Sequence, residues 1–487
     1  MIFIILSLFI MTMTAFASEA QFFAKVKEGK NWGLMDATGN VVIPARFDSV
    51  FVSASGIISV RGTDKKWGIY DQTGKVIMPV EFNTIMPITE GRFIASKQGK
   101  YRVYDESGNI INQNEFDDIW FLYEDLISVK IGKEWGAIDK SGNIVIPAQY
   151  ANAFIFSEGL AAVKKGKTWE YIDKEGKSVI SGDFKEASAF SEGLAKTVIG
   201  GKVSFIDKDG NIVFTSKYKD VSSFHDGIAQ VKVKVSKISP LGIIGNLVLN
   251  TQIPITSHAD FVKHPERYRV NMFDTVEQNE KRGFINRKGE LVITTKYEFV
   301  GPYYKNGDGL ILVISDGKTG YVDKTGAVVV PFNYDELTAF SEDIAIAKND
   351  DKVQFIDRTG TAINKGLYND AKLFSNGIAA YKVGEKWGYI RKDGIPVARP
   401  RYDEANFFTE NVAAVRIADR WQLINRSGDV VTELVGVAKV LDYVDGFAAA
   451  EKDGKWGMID ENGIFVIQPQ YNEVATAVVV VKQEAIE

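Results

Sequence analysis

The chain has 487 residues, 45% of them hydrophobic, no cysteine, and a formal net charge of −5 with both signs interspersed. Without cysteine there are no disulfides, thiol nucleophiles or Cys-ligated metals. The hydrophobic fraction is typical of a folded soluble protein, and because no basic stripe is visible we expect no nucleic-acid partner.

Residues 1–17 predict a signal peptide. An apolar stretch from Ile2 to Ile10 precedes Ala15-Phe16-Ala17, a small-x-small cleavage site, although no Lys or Arg lies near the N-terminus. The alternative, an uncleaved anchor helix, is disfavoured because the apolar stretch is shorter than the roughly 20 residues that a span needs. We expect an extracytoplasmic protein (periplasmic, secreted or on the cell surface) with no stable membrane span after cleavage.

A unit of about 34 residues recurs twelve times after this segment. Its most regular part is a turn, Asp-x-x-Gly, in which glycine accepts a positive φ and the leading side chain bonds the amides of its own turn. A period this strict indicates a tandem-repeat architecture. The turns begin at Asp36, Asp71, Asp105, Asp139, Asp173, Asp207, Asn286, Asp323, Asp357, Arg391, Asn425 and Asp460.

Each unit predicts three short strands. In the fifth unit these are residues 160–163, residues 169–172 before the turn at 173–176, and residues 178–180, with Phe184 closing the unit. Tyr171 and Ile172 are adjacent and apolar, and neighbouring strand residues point to opposite faces of a sheet. Both faces of each sheet are therefore expected to be buried against other units.

Two aromatic columns run through the units, and their strict period predicts that they belong to the core. Eleven units have an aromatic residue eleven positions after the turn start, and Gly436 is the exception. Seven units have tryptophan four positions before the turn, at Trp32, Trp67, Trp135, Trp169, Trp387, Trp421 and Trp456.

The runs Asn31-Trp32-Gly33, Lys66-Trp67-Gly68, Glu134-Trp135-Gly136, Lys386-Trp387-Gly388 and Lys455-Trp456-Gly457 resemble the bacterial WG (KWG) repeat family. Asn31 and Glu134 depart from the usual Lys, and Arg391 departs from the usual Asp. The resemblance covers roughly residues 21–475. It implies β-rich tandem units, often in exported bacterial proteins, with binding rather than a defined reaction.

We predict an all-β fold, a tandem array of about twelve three-stranded units in an open β-solenoid-like stack. The alternative is one or two β-propellers, although the units are shorter than usual blades and twelve are too many for one ordinary ring. The predicted segments are the signal peptide at 1–17, repeats at 18–231, an insertion at 232–281 and the remaining repeats at 282–487.

The insertion accounts for the one long step in the period, 79 residues between Asp207 and Asn286. A solvated decoration is the simpler interpretation, and a protruding recognition element is the functional one, since insertions in repeat arrays often lie on the binding face. His258, Asp260 and His264 are its ligand-like residues, but this spacing does not establish a metal site. We predict no metal, cofactor or catalytic residue.

Trp120 breaks the period of the aromatic columns, which makes it the best candidate for a surface aromatic. The leading functional hypothesis is an exported, non-enzymatic scaffold that binds protein partners over an extended surface. The alternative is a glycan- or cell-wall-binding module, with Trp120, His258, Asp260 and His264 as candidate binding residues in either case. A third class, a hydrolase with its site near the insertion, has the least support because no nucleophile elbow or phosphate loop is present.

Overall fold

A computed structural model describes residues 21–53, 55–89, 91–234, 280–301 and 309–480. Every regular element in these ranges is a β-strand. Within the same ranges, no helix has the length and apolar character that a membrane span requires. The predicted signal peptide at 1–17 lies outside the described residues.

The strands follow one another in antiparallel meanders. In chain order they are β1 (Gln21–Glu28), β2 (Asn31–Asp36), β3 (Val41–Phe47), β4 (Ser49–Val52), β5 (Ile58–Arg61), β6 (Trp67–Tyr70), β7 (Val76–Phe82), β8 (Thr84–Thr89), β9 (Arg92–Lys97), β10 (Lys100–Tyr104), β11 (Asp118–Tyr123), β12 (Leu126–Ile131), β13 (Glu134–Ile138), β14 (Ile144–Tyr150), β15 (Phe156–Ser157), β16 (Leu160–Lys165), β17 (Thr168–Ile172), β18 (Ser178–Ala187), β19 (Ala195–Ile199), β20 (Lys202–Ile206), β21 (Ile212–Thr215), β22 (Asp220–Val221) and β23 (Ile228–Lys234). The later strands are β24 (Glu280–Asn286), β25 (Leu291–Ile293), β26 (Phe299–Val300), β27 (Leu310–Ser315), β28 (Lys318–Asp323), β29 (Val328–Tyr334), β30 (Glu336–Leu337), β31 (Ile344–Asn349), β32 (Lys352–Asp357), β33 (Asp370–Ala371), β34 (Ile378–Val383), β35 (Lys386–Arg391), β36 (Pro396–Tyr402), β37 (Glu404–Ala405), β38 (Val412–Ile417), β39 (Arg420–Asn425), β40 (Val430–Leu434), β41 (Val437–Val440), β42 (Phe447–Lys452), β43 (Lys455–Asp460), β44 (Phe465–Tyr471) and β45 (Glu473–Val480).

The full unit has four strands, which we call a, b, c and d, rather than the predicted three. In the tenth unit they are β33, β34, β35 and β36, paired in that order. Strands b, c and d are the predicted strands. Strand a precedes them and is only two residues long in six units, too short to show an alternating pattern in the sequence. Units 3 and 9 have isolated bridges in place of strand d, and β18 continues from unit 5 into unit 6.

Both faces of each sheet are buried, as the adjacent apolar pairs predicted. Leu34 packs towards the second unit, whereas its neighbour Met35 packs towards the twelfth. Tyr171 and Ile172 divide in the same way between the sixth and fourth units. Each strand c therefore lies between two hydrophobic clusters and contributes side chains to both.

Twelve such clusters fill the seams between consecutive units. The aromatic residue that closes each unit is buried in most of them, as expected. The tryptophan column departs from the expectation: Trp421 is only 2% exposed, but the other six indoles are half-buried. A cation covers several of them, such as Lys27, whose Nζ lies 5.0 Å from the Trp32 ring centroid.

The two ends of the array meet. Strand β45, the last strand of the described residues, pairs with β1 and supplies strand a of the first unit. The twelfth cluster joins the last unit to the first, with Ala449 and Met458 packed against Phe22 and Val26. The all-β class and the tandem array of about twelve units are confirmed. The array is closed into one ring, which agrees with the predicted alternative of a propeller-like ring and not with the open stack.

The ends of the sheets form two faces of this ring. We call the end with the a–b turns and the Asp-x-x-Gly c–d turns the turn face. The opposite end, with the b–c turns and the links from strand d to the next strand a, is the link face. The 235–279 segment lies outside the described residues, but β23 and β24 pair up to Lys234 and Glu280, so this segment leaves and re-enters the ring on the link face.

Candidate functional site

An aspartate opens most turns on the turn face and is held by hydrogen bonds within its own turn. The Asp105 carboxylate accepts the N–H groups of Asn109 and Ser107 at 2.8 and 2.9 Å. Asp207 accepts the corresponding N–H groups of Asn211 and Asp209. These bonds, above all those from Asn109 and Asn211, hold the pKa of each carboxyl below its usual value. The segment at 207–211 is therefore a structural turn.

These depressed pKa values predict acid sensitivity. A carboxyl whose folded-state pKa is lowered stabilises the fold above its unfolded pKa of about 3.9 and loses that contribution as the pH falls through the folded value. We expect the melting temperature to be nearly constant from about pH 7 to 5 and to fall below about pH 4. Differential scanning calorimetry across this range measures the effect.

The chain supplies the control for this prediction. Asn425 occupies the same position and accepts the N–H groups of Ser427 and Asp429 without carrying a charge. A variant with Asp105→Asn, Asp207→Asn and Asp323→Asn should keep the fold and show a shallower fall in melting temperature. An equally steep fall would mean that the turn aspartates are not the source of the acid sensitivity.

The glycine of each turn also allows its unit to pack closely against the neighbouring unit. A Cβ on Gly428 would lie 2.7 Å from the Val397 carbonyl oxygen of the preceding unit. At the closing seam, a Cβ on Gly39 would lie 2.9 Å from the Val466 carbonyl oxygen of the last unit. These glycines have φ near +85°, so they satisfy the turn and the seam together. Turn chemistry alone explained only the first of these roles.

A second network ties successive units together on the link face. The residue after the closing aromatic is acidic or an amide in eight units. Asp117 accepts the Gly132 N–H of the next b–c turn at 2.7 Å and a bond from Lys100 Nζ at 2.5 Å. Asp403 does the same for the Ala418 N–H and Lys386. The bond from the lysine is the main reason that the pKa of each aspartate is lowered.

Units 5 and 6 depart from this link-face pattern. Lysine replaces the acidic or amide residue at Lys185 and Lys219, immediately after Phe184 and Tyr218. Lys165, Lys167, Lys202 and Lys217 are exposed on the same face of the same units. The repeat motif alone does not reveal this group, because the lysines stand out only when the position after the closing aromatic is compared between units.

Trp120 lies on β11, the edge strand of the fourth unit, and 47% of its surface is exposed. The pairing of β11 with β12 shifts register between Ile119 and Leu122, so Trp120 lies in a β-bulge. A bulge re-aims the side chain that it carries. Tyr123 on the same strand is also exposed. Trp120 therefore lies on the surface, where stacking against a partner is sterically possible.

The other predicted binding residues, His258, Asp260 and His264, lie outside the described residues. The first and last residues of the predicted 232–281 insertion are strand residues of β23 and β24. Within the described ranges, no group of three or more His, Asp and Glu residues is arranged to hold a metal ion.

Comparison with known proteins gives one family. The family model described as "WG containing repeat" matches twelve segments: 32–67, 67–101, 102–135, 135–169, 171–202, 204–234, 283–318, 320–352, 355–387, 387–421, 423–456 and 456–476. Together these segments span most of the chain. None of the curated proteins matches significantly.

Several solved structures are similar at low identity. The crystal structure of the eukaryotic initiation factor is 11% identical, covers 96% of this chain and 99% of its own, and gives a TM-score of 0.31. BamB from Moraxella catarrhalis is 12% identical, covers 81% and 95%, and gives 0.24. PorZ of Porphyromonas gingivalis is 8% identical, covers 91% and 80%, and gives 0.21. At these scores the architecture rests on the strand pairing and the seams described above.

Proposed function

Because this chain belongs to the WG-repeat family, we propose that it is an exported, non-enzymatic scaffold that binds protein partners over the faces of its ring. One observation supports this proposal above the others. Residues that repeat from unit to unit form the seams and the turns, whereas other residues on the two faces differ between units, as Lys185 differs from Asp117. Binding residues are concentrated on loops that a rigid scaffold positions, and this ring presents a different set of loops in each sector.

Export is part of the same proposal and rests on residues 1–17. The apolar stretch and the Ala-Phe-Ala site indicate cleavage after Ala17. Expression of the full chain in a bacterial host with an envelope fraction tests this part. We expect the mature protein to begin at Ser18 and to be found outside the cytoplasm; an intact N-terminus in the cytoplasmic fraction would contradict it.

The binding proposal is tested by capture with the folded ring. The mature chain is immobilised and exposed to envelope extracts of the source bacterium, with a heat-unfolded sample of the same chain as the control. We expect a defined protein to be retained by the folded chain alone and to rebind after purification. Retention of no protein by the folded chain would contradict the proposal.

A glycan-binding module is the second candidate, and the exposure of Trp120 favours it. Aromatic faces provide stacking surface for partners that are apolar on one side and polar on the other. Under this candidate, the chain is retained on purified peptidoglycan or polysaccharide, and Trp120→Ala removes that retention. Phe51→Ala is the matched control, since Phe51 lies four residues after Phe47 as Trp120 does after Phe116 and is similarly exposed. Equal retention of the wild type and the Trp120→Ala variant would exclude a site at Trp120.

A further inference from the structure

The link face of units 5 and 6 carries six exposed lysines. Lys165 and Lys167 belong to the b–c turn of unit 5, and Lys202 to that of unit 6. Lys217 and Lys219 belong to the link after β21, and Lys185 lies in β18, where that strand passes from unit 5 into unit 6. We refer to these six residues as the basic sector. They stand out in a chain whose net charge is −5.

The basic sector has fewer ion pairs than the parts of the link face that carry a link aspartate. In other units a link aspartate neutralises a lysine, as Asp335 does for Lys318 at 2.6 Å. Within the described residues, Lys185 is the one member of the sector with an ion pair, to Asp183 at 2.7 Å. Glu186 and Asp220 are the other acidic residues of these links. Six lysines thus stand beside three carboxylates, because units 5 and 6 have lysine where four other units have an aspartate that pairs with lysine.

The size of the basic sector limits what can bind to it. Sheets that pack face to face lie about 10 Å apart, so two units with their flanking seams span roughly 20 to 30 Å. An extended peptide covers that distance with about eight residues. A lysine ammonium group is a point charge on a flexible side chain, whereas the arginine guanidinium holds its donors in a fixed plane. A group of lysines therefore suits a run of carboxylates better than a single anion bound in one orientation.

An anionic membrane fits this surface less well. A planar surface would contact the whole link face, including units where aspartates such as Asp118 and Asp370, at the start of β11 and β33, are exposed on the same side. A partner of peptide width reaches the lysines without contacting these aspartates.

We propose that the basic sector is a docking site for an acidic, extended segment of a protein partner. This inference rests on the proposed function, because it names the class of partner segment and the sector that a protein-binding scaffold would use. Attraction between opposite charges accelerates association and selects against basic partners. Since the lysines are exposed, salt screens the attraction.

The test uses the mature chain and a fluorescein-labelled oligoglutamate of about eight residues, with oligoglutamine as the uncharged control peptide. The variant carries Lys185→Asp and Lys219→Asp, which restore the residue found at Asp117 and Asp403. The matched control carries Lys177→Asp and Lys288→Asp on the turn face, where Asp429 and Asp209 are the precedents in the same columns. Both variants change the net charge by the same amount.

We expect fluorescence anisotropy to show binding of oligoglutamate and not of oligoglutamine, weakening as salt is added. The link-face variant should bind at least about tenfold more weakly, and the turn-face control should remain within about twofold. A second variant with Lys185→Gln and Lys219→Gln should fall between the wild type and the aspartate variant. Circular dichroism and melting temperature establish that all variants are folded.

Equal binding by the wild type and the link-face variant would overturn the inference, as would an equal loss in the turn-face control. Binding of heparin or of phosphatidylglycerol vesicles without binding of oligoglutamate would also overturn it and assign the lysines to another polyanion. A captured protein partner that binds the link-face variant undiminished would leave the proposed function standing and remove the basic sector from it. Oligoglutamate binding without any captured protein would count against the proposed function instead.

Discussion

Replacing Val26 with aspartate should destabilise the ring as much as the same change deep in the middle of the array. Val26 lies on β1, is 3% exposed, and packs in the cluster that joins the last unit to the first. A carboxylate there is removed from water and surrounded by apolar side chains such as Met35 and Val474. Burial of an unpaired charge is among the largest single-residue effects, and we expect a loss of about 4 kcal/mol in the free energy of unfolding.

Val163→Asp is the matched control for the closing seam. Val163 precedes Lys164, which pairs with Trp169 across strands b and c, just as Val26 precedes Lys27, which pairs with Trp32. It is fully buried in the cluster between units 4 and 5. Urea unfolding followed by tryptophan fluorescence should give similar losses for both variants. A harmless Val26→Asp beside a damaging Val163→Asp would mean that the ring is not closed in solution.

Sequence reasoning predicted the parts of this fold that depend on neighbours in the chain. The Asp-x-x-Gly turn is a local structure, and its hydrogen bonds at Asp105 and Asp207 are those expected of such a turn. Burial on both faces was predicted from adjacent apolar residues such as Tyr171 and Ile172. Successive side chains of a strand point to opposite faces, so two neighbouring residues are both buried only if both faces are covered. These predictions needed only the period of the side chains.

Closure of the ring was not accessible in this way. The first and last units meet only if the small rotations at the seams add up to a full turn over twelve units. A motif within one unit does not determine that total. Twelve units share one full turn, so each rotates by only about 30°, less than in rings of four to eight blades. The evidence for closure is in contacts between distant residues, such as the Gly29 N–H that Asn472 Oδ1 accepts at 2.9 Å.

The candidate site was only partly predictable. Trp120 was singled out because it breaks the aromatic period, and the structure places it in an exposed bulge. Lys185 and Lys219 were visible in the sequence but lacked meaning until Asp117 and Asp403 were seen to neutralise the lysine of their own unit. A lysine by itself does not predict a binding site. It does so when it replaces a residue that has a known structural partner in other units.

The glycine that follows the repeated tryptophan should be the least replaceable residue of its unit. Gly388 on β35 faces strand β36, whose pairing with β35 shifts register between Trp387 and Tyr389. The shift pushes the backbone of β36 towards Gly388. A Cβ at this position would lie 2.6 Å from the Ala398 carbonyl oxygen and 2.8 Å from the Pro400 nitrogen. Both obstacles are backbone atoms, so relief requires movement of a strand rather than of a side chain.

Gly388→Ala should therefore lower the free energy of unfolding by about 3 kcal/mol, at the upper end of the usual overpacking cost. Unit 11 provides the control, because Gln422 occupies the same position and pairs directly with Glu433 on a strand without that shift. Gln422→Ala should change the free energy of unfolding by no more than about 0.5 kcal/mol. Both substitutions introduce alanine in strand c. The difference between their free energies of unfolding in urea therefore measures how much the bulge is stabilised by having glycine at this position. If the two alanine variants unfold at the same urea concentration, the glycine reflects something other than the approach of strand d.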